Sequence, residues 1–398
     1  MKRLRWWRGV LVALVAYAAV DQIVQRTALR DGYLFGRRVA PFDPPIFTPQ
    51  QAQVLERMRD HVEHGAPLQN ADFDAQLGWA PRKDGGDGEF RFDWAGARLV
   101  DAPLAHTKRP GVARVVAVGC SFTLGDEVRA VESWAARVDA ARDDLEIANL
   151  GMGAYGVDQA HLRFLRDGVP LAPDEVWFGF LPSAAPRVVT MYLPAMRHYA
   201  WSPAFKPRYV FDASGRMVLQ PNPARTPKDF VRLLSGGERF HQDVAPFDAW
   251  VQRSPTAYAP TGTSWMHAFA TTRAWLTWSE RGGRDARDFV LDVNGECHRI
   301  VRDVVVTAKD ECEALHARFR LLVLPDRDDL RDRIERGRPY WSALSEAWKG
   351  ANVEVIDLTD DLLAAHAAED DAFWAPSGHY SAAGNRVVAD ALSRRTAR

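Results

Sequence analysis

The 398-residue chain reads as an α/β fold of three layers, with a central parallel sheet of about five strands and a large insertion between the third and fourth. Apolar, β-rich runs fall at residues 113–118, 145–149, 175–181, 318–324 and 352–358. They are continuous rather than alternating, as strands covered on both faces are. Helical periodicity fills residues 131–141 and 157–167 between the first three runs, and a helical stretch at about 330–349 joins the last two. More than about a hundred residues separate the third run from the fourth, far beyond a plain crossover, so a further element is inserted there.

At the N-terminus, Lys2, Arg3, Arg5 and Arg8 precede an apolar run from Gly9 to Val20 that ends at Asp21-Gln22. A basic stretch followed by a short apolar one is the pattern of a signal peptide, and Ala16-Tyr17-Ala18 offers a cleavage site. The run is about a dozen residues, against the roughly 20 that a full span needs. Residues 1–25 are therefore expected to be a signal peptide, or an uncleaved membrane anchor if Ile23 and Val24 extend the helix. Either way the chain is expected to be exported, with its basic end inside and the remainder periplasmic or otherwise extracytoplasmic.

Residues 26–105 form a weakly patterned lead-in. It holds Pro41, Pro44, Pro45 and Pro49, a helical stretch, Leu77-Gly78-Trp79-Ala80-Pro81 and Phe92-Asp93-Trp94-Ala95-Gly96-Ala97-Arg98, with Gly85, Gly86 and Gly88 reading as a flexible turn. Residues 106–398 are the main domain, interrupted by the insertion at about 187–287. That insertion is rich in aromatics: Trp201, Phe205, Tyr209, Phe230, Phe240, Trp250, Trp265, Trp275 and Trp278. Trp265, Phe269, Thr272 and Leu276 share a helical face, and Gly282-Gly283 ends the run. Such rings either pack the insertion onto the core or line a cleft for a sugar or acyl group, and the sequence leaves both open.

The formal net charge is −1, with no basic cluster interleaved with aromatics, so nucleic acid is not an expected partner. Three cysteines make no disulfide framework in a chain of this length. Cys297 and Cys312 are close enough in sequence to pair in an oxidising compartment, a pairing the reading does not favour, and Cys120 would be left over. No Cys/His spacing matches a closed zinc site.

The most telling segment is Gly119-Cys120-Ser121-Phe122-Thr123-Leu124-Gly125-Asp126, directly after the first strand. A serine at a strand tip between glycines is placed either as a nucleophile or as the cap of a following helix, and the segment alone fits both. Two other segments bear on the choice. Asn149-Leu150-Gly151-Met152-Gly153-Ala154-Tyr155-Gly156 follows the second strand, and Gly378-His379-Tyr380-Ser381-Ala382-Ala383-Gly384-Asn385 precedes the last helix. In a parallel sheet the loops after the strands open on one edge, where ligands bind, so these segments can meet.

Together they resemble the blocks of the SGNH (GDSL-type) hydrolase superfamily, as a divergent exported bacterial member, over roughly residues 106–182 and 318–398. The resemblance implies the flavodoxin-like SGNH fold. It also implies Ser121 as nucleophile in the Gly-Asp-Ser pattern, with Cys120 in the aspartate's place, and His379 as general base. The oxyanion would be bound by the backbone amides of Ser121 and of Ala154, the latter beside Gly153. Two family side chains are missing. The segment Leu181-Pro182-Ser183-Ala184-Ala185-Pro186-Arg187 lacks the asparagine that usually adds an oxyanion donor, and Pro376 and Ser377 stand where the triad aspartate is expected. The histidine would then act in a Ser-His dyad, or with Asp371, its neighbour Asp370 or Ser377 as an atypical third member. Arg187 could lend positive charge to an anionic substrate or intermediate.

The implied activity is that of a serine esterase, hydrolysing or transferring acyl groups on an ester substrate, for which the compartment suggests O-acetylated envelope carbohydrate. No metal or organic cofactor is implied. The alternative is a catalytically weakened SGNH-like module that binds a polymer or partner in the cell envelope, to which the two missing side chains and the aromatic insertion lend support.

Overall fold

The computed structural model describes residues 2–396 apart from 28, 31–32, 35–36, 44, 70, 72, 197–203, 260–264 and 280–285. Trp201, Pro44, Gly282 and Gly283 thus lie outside the described residues. The chain forms two compact units, one of residues 1–68, 190–205 and 223–284, the other of residues 69–189, 206–222 and 285–398.

The larger unit holds a five-stranded sheet whose strands we number along the chain: β1 (Ala113–Val118), β2 (Leu145–Asn149), β3 (Glu175–Phe180), β4 (Arg318–Val323) and β5 (Val355–Asp357). Their order is β5-β4-β3-β1-β2, and every pairing is parallel. Every residue of β1 and β3 is buried, and because successive side chains point to opposite faces, both faces of the sheet must be covered. The three-layer expectation holds, and the strand bounds agree to within a few residues.

The first connecting helix is shorter than the periodicity suggested, and the second keeps its expected length. Trp134–Ala140 starts at Ser133, whose hydroxyl accepts from the Ala136 N–H. Val157–Arg163 runs on into a wider turn over Phe164–Gly168. The single stretch expected at about 330–349 is two helices, Arg327–Arg336 and Ser342–Gly350, separated at Gly337, whose φ of 73° stops the first. The glycines read as a flexible turn form instead a hairpin of Gly85–Asp87 with Phe90–Phe92. Cys297 and Cys312 both lie on the helix Glu296–Ala314, roughly 22 Å apart at 1.5 Å per residue, so they cannot pair. All three cysteines are free and buried.

In the smaller unit the first helix, Lys2–Thr27, extends through Ile23 and Val24, and its stretch Trp6–Thr27 is long and apolar enough to cross a membrane. The helix Pro49–His64 opens with a reciprocal cap between Thr48 and Gln51. Phe205, Phe230 and Phe240 pack ring to ring with Tyr192 and Tyr258. These rings fill the unit's own interior, whereas Trp265, Trp275 and Trp278 are exposed.

At the sheet edge the loop after β2 passes the helix after β1 at backbone contact. A Cβ on Gly151 would come within 2.7 Å of Thr123 C and 2.8 Å of Leu124 Cα, backbone atoms that cannot swing away. Gly151→Ala should therefore destabilise the chain by about 1–3 kcal/mol through overpacking, read as a lower midpoint in urea denaturation.

Candidate active site

Ser121 follows β1, the strand at which the sheet order reverses, with β2 on one side and β3 on the other. Open α/β sheets bind ligands at such a switch point. Beyond Val118 the chain passes Gly119 and Cys120, enters the short helix Ser121–Leu124 and leaves it at Gly125, φ 79°. Close approach demands glycine at 119, where a Cβ would lie 3.0 Å from both Gly179 O and Thr123 Cβ. The Thr123 carbonyl accepts from Asn149 Nδ2 at 2.8 Å, tying the turn to the end of β2.

A buried arginine from the lead-in holds the other end of the turn. Arg98 Nη1 donates to the carbonyls of Leu124 (2.8 Å) and Gly125 (2.5 Å), and Nη2 donates to that of Val128 (2.6 Å). Arg163 adds a second strut, donating to Gly151 O at 3.2 Å and Gly96 O at 2.7 Å. The chain between Gly125 and Val128 is thus wrapped around a guanidinium, and Glu127 stands at its apex with φ 65°, a left-handed conformation unusual for a residue with a side chain.

Glu127 reaches the histidine. His379 Nδ1 donates to Glu127 Oε2 at 2.6 Å, and the Ser377 amide donates to Glu127 Oε1 at 2.8 Å. The two side chains are 20% and 19% exposed. Burial pushes the Glu127 carboxyl up, but the hydrogen bonds from His379 and Ser377 outweigh it and hold the group below its ordinary range. With Nδ1 engaged in this way, Nε2 is the nitrogen left to take a proton.

His379 is presented by the loop before the final helix, Ala382–Arg395, which Ser381 caps by accepting from the Ala383 and Gly384 amides. Tyr380 fixes the loop from below, donating its hydroxyl to Pro325 O at 2.7 Å. Phe122, the residue after Ser121, lies with its ring centroid 5.2 Å from the imidazole and 4.8 Å from the Tyr380 ring. This packing brings the serine turn and the histidine loop together. Among the described residues no hydrogen bond joins Ser121 Oγ to His379, a contact that in unliganded enzymes is often long.

The loop after β2 supplies amides. Ala154 takes φ 64°, the backbone that a glycine would adopt more cheaply. Among the described residues neither the Ser121 nor the Ala154 N–H donates a backbone hydrogen bond. Gly153 is anchored by its carbonyl, which accepts from Trp79 Nε1 at 2.9 Å, and Tyr155 by its hydroxyl, which donates to Trp79 O at 2.5 Å. On the far side Arg187 Nη1 donates to Tyr155 O at 2.9 Å. Arg187 is 8% exposed, its Nε has no partner, and no carboxylate pairs with it among the described residues. Burial raises the Cys120 thiol, and the positive charge of Arg187 is the largest influence opposing it, which places that charge near the serine turn. Ser183, in the loop where an asparagine was sought, is engaged elsewhere, donating to Asp326 Oδ2 at 2.6 Å.

The positions proposed from sequence are thus placed as follows. Ser121, Gly153, Ala154 and His379 share the C-terminal edge of the sheet. Asp371 is turned outward, paired with Arg327, its side chain 88% exposed, and Asp370 caps a turn through the Ala372 amide. Ser377 meets Glu127 through its backbone N–H, at 2.8 Å, and through its side chain. The sequence reading did not name Glu127 or assign a role to Arg98. Both lie inside segments it quoted or adjoined, but nothing local to Gly125-Asp126-Glu127 says that the carboxylate will meet a histidine some 250 residues away.

Because Glu127 titrates below its ordinary value in the folded chain, it contributes stability above the unfolded carboxylate pKa of about 4.3 that is lost as pH falls through the lowered folded value. The gap in denaturation midpoint between the wild type and Glu127→Gln should be widest near about pH 6 and shrink toward about pH 3. A gap that stays constant across that range would mean that the carboxylate is not held in this way.

No protein-family model and no curated protein matches the chain. Among solved structures it is similar to a member of the lipolytic protein G-D-S-L family from Veillonella parvula, with 13% identity over 72% of this chain and 98% of that one, TM-score 0.36. A lipase/acylhydrolase from Enterococcus faecalis shows 13% identity over 71% and 95%, TM-score 0.36. A catalytic mutant of an acetylxylan esterase from Geobacillus stearothermophilus shows 12% identity over 72% and 95%, TM-score 0.37. It is to these G-D-S-L-type lipolytic proteins and acetylxylan esterases that the chain is similar.

Proposed function

We propose that the chain is a serine esterase of SGNH type that works through Ser121, His379 and Glu127. The observation that supports this most is the 2.6 Å bond from His379 Nδ1 to Glu127, made by a carboxylate held at a left-handed backbone position. A carboxylate there orients the ring and stabilises the imidazolium, the task of a triad acid. It also weakens the binding-module alternative, one support of which was the missing acid.

The chemistry runs in two halves. Ser121 Oγ attacks the ester carbonyl while His379 Nε2 takes the hydroxyl proton, and the carbonyl oxygen becomes an oxyanion. The imidazolium then gives that proton to the leaving alkoxide, and the acyl group remains on Ser121. In the second half a water, or a sugar hydroxyl in the case of transfer, gives its proton to His379 as its oxygen attacks the acyl carbon, and the serine is released with its proton restored. The amides of Ser121 and Ala154 would receive the oxyanion. Arg187, buried and without a carboxylate, would lend positive charge where the asparagine is missing. An unpaired buried charge is costly, and a developing anion beside it offsets that cost.

We assign acyl esters as the substrate class, with O-acetylated envelope carbohydrate as the case that the N-terminal helix and the compartment it implies favour. Hydrolysis of a short-chain nitrophenyl ester should fall to the uncatalysed background in Ser121→Ala and His379→Ala. Glu127→Gln should lower kcat by on the order of 100-fold to 10,000-fold. Hydrolysis that survives Ser121→Ala would contradict the assignment. For Arg187→Met, kcat should drop by about 100-fold to 1000-fold with KM for a neutral ester little changed, and Arg187→Lys should recover part of it. A change in KM alone would make Arg187 a contact of the substrate rather than of the oxyanion.

A further inference from the structure

The first helix is fastened to its own unit along one stripe. Tyr17, Asp21 and Val24 repeat at the i, i+4, i+7 spacing of a single helix face. Asp21, 8% exposed, accepts from the Thr271 amide at 2.8 Å and from the Thr271 hydroxyl at 2.7 Å. The Tyr17 hydroxyl lies 2.8 Å from the same Thr271 Oγ1, and the Tyr17 ring meets Phe269 edge-on at 5.6 Å. Val24 packs with Ala274 against Val39 and Ala270. The cleavage site Ala16-Tyr17-Ala18 falls inside this stripe, so removing a signal peptide there would cut a helix face already seated in the fold.

The helix that receives it, Ala270–Ser279, carries an unusual surface. Thr271, Trp275 and Trp278 again repeat at i, i+4, i+7, so the tryptophans project on the side to which the first helix is bonded. They are 60% and 66% exposed, and Trp265, stacked edge-on to Phe269 at 5.9 Å, is 77% exposed. Each indole carries on the order of 200 Å² of largely apolar surface, a poor surface to leave in water. Along the first helix, exposed apolar side chains run from Trp6 to Ile23, about 26 Å at 1.5 Å per residue, against a hydrocarbon core of about 30 Å. Asp21 lies near the outer end of that run, and its bonds to Thr271 set it at the level at which the tryptophan-bearing helix begins.

We propose that the first helix is retained as a membrane anchor and that Trp265, Trp275 and Trp278 form a collar that seats its outer end in the headgroup layer of the bilayer. Tryptophan favours that layer, where the ring lies among the acyl ends and the indole N–H meets water and headgroups. Asp21, satisfied by Thr271, then sits at the boundary instead of in hydrocarbon. The inference is independent of the chemistry at Ser121.

The full-length chain would be reconstituted into phosphatidylcholine/phosphatidylglycerol vesicles, with and without lipid brominated near the headgroup end of the acyl chain. Because the chain has 14 tryptophans, emission is read as the difference between the wild type and variants in which Trp265→Phe, Trp275→Phe and Trp278→Phe are introduced singly and together. Phenylalanine keeps the apolar surface while removing the signal, and a circular dichroism melt checks each fold. The difference emission should be blue-shifted and should lose intensity in the brominated vesicles, and the intact mass of chain recovered from cell membranes should include Tyr17. Difference emission that brominated lipid leaves unquenched would overturn the collar. A recovered chain beginning at Ala19 would overturn the anchor.

Discussion

The guanidinium of Arg98, buried beneath the carbonyls of Leu124, Gly125 and Val128, fixes the path of the chain from Ser121 to Glu127. Three carbonyls gathered on one cation are turned inward, and the backbone between them is forced outward into the left-handed bend at Glu127. Such a bend costs on the order of 1–3 kcal/mol and persists only where its surroundings over-determine it. Burial lowers the Arg98 pKa, and the charges of Asp126 and Glu89 oppose that effect.

Seen from that turn, the site is a junction of four loop segments that need one another. Gly151 crosses the serine helix at backbone contact, Arg163 links that crossing to Gly96 in the lead-in, and Trp79 holds the Gly153–Tyr155 loop from the same side. The lead-in, weakly patterned as sequence, thus furnishes Arg98 and Trp79, two of the groups that position the others. Opposite it, the third-strand loop holds the buried guanidinium of Arg187, bonded to Tyr155 O.

The sheet was legible because its signal is local. Five continuous apolar runs appear in the sequence where five strands appear in the structure, and the parallel order follows from the helices between them. The serine and histidine loops were legible because parallel strands send their C-terminal loops to one edge. Glu127 was not, since its partner is distant in sequence and its role depends on a backbone bend that the buried Arg98 helps to hold. Asp371 illustrates the same limit from the other side: proximity in sequence to His379 suggested a partner, yet Arg327 claims the carboxylate. In the first helix Asp21 closes the dozen-residue apolar run of the sequence, and the bonds from Thr271 show how the helix carries that acid through Ile23 and Val24.

The claim at the centre of this account is that Ser121 is a nucleophile activated by a His379–Glu127 pair. Its most direct test is intact-mass and peptide mapping after treatment of the full-length chain with a serine-directed fluorophosphonate. The account predicts a single adduct, on the peptide containing Ser121, that forms markedly more slowly when Glu127 is replaced by Gln. An adduct on another residue, or none at any pH at which the chain is folded, would contradict it.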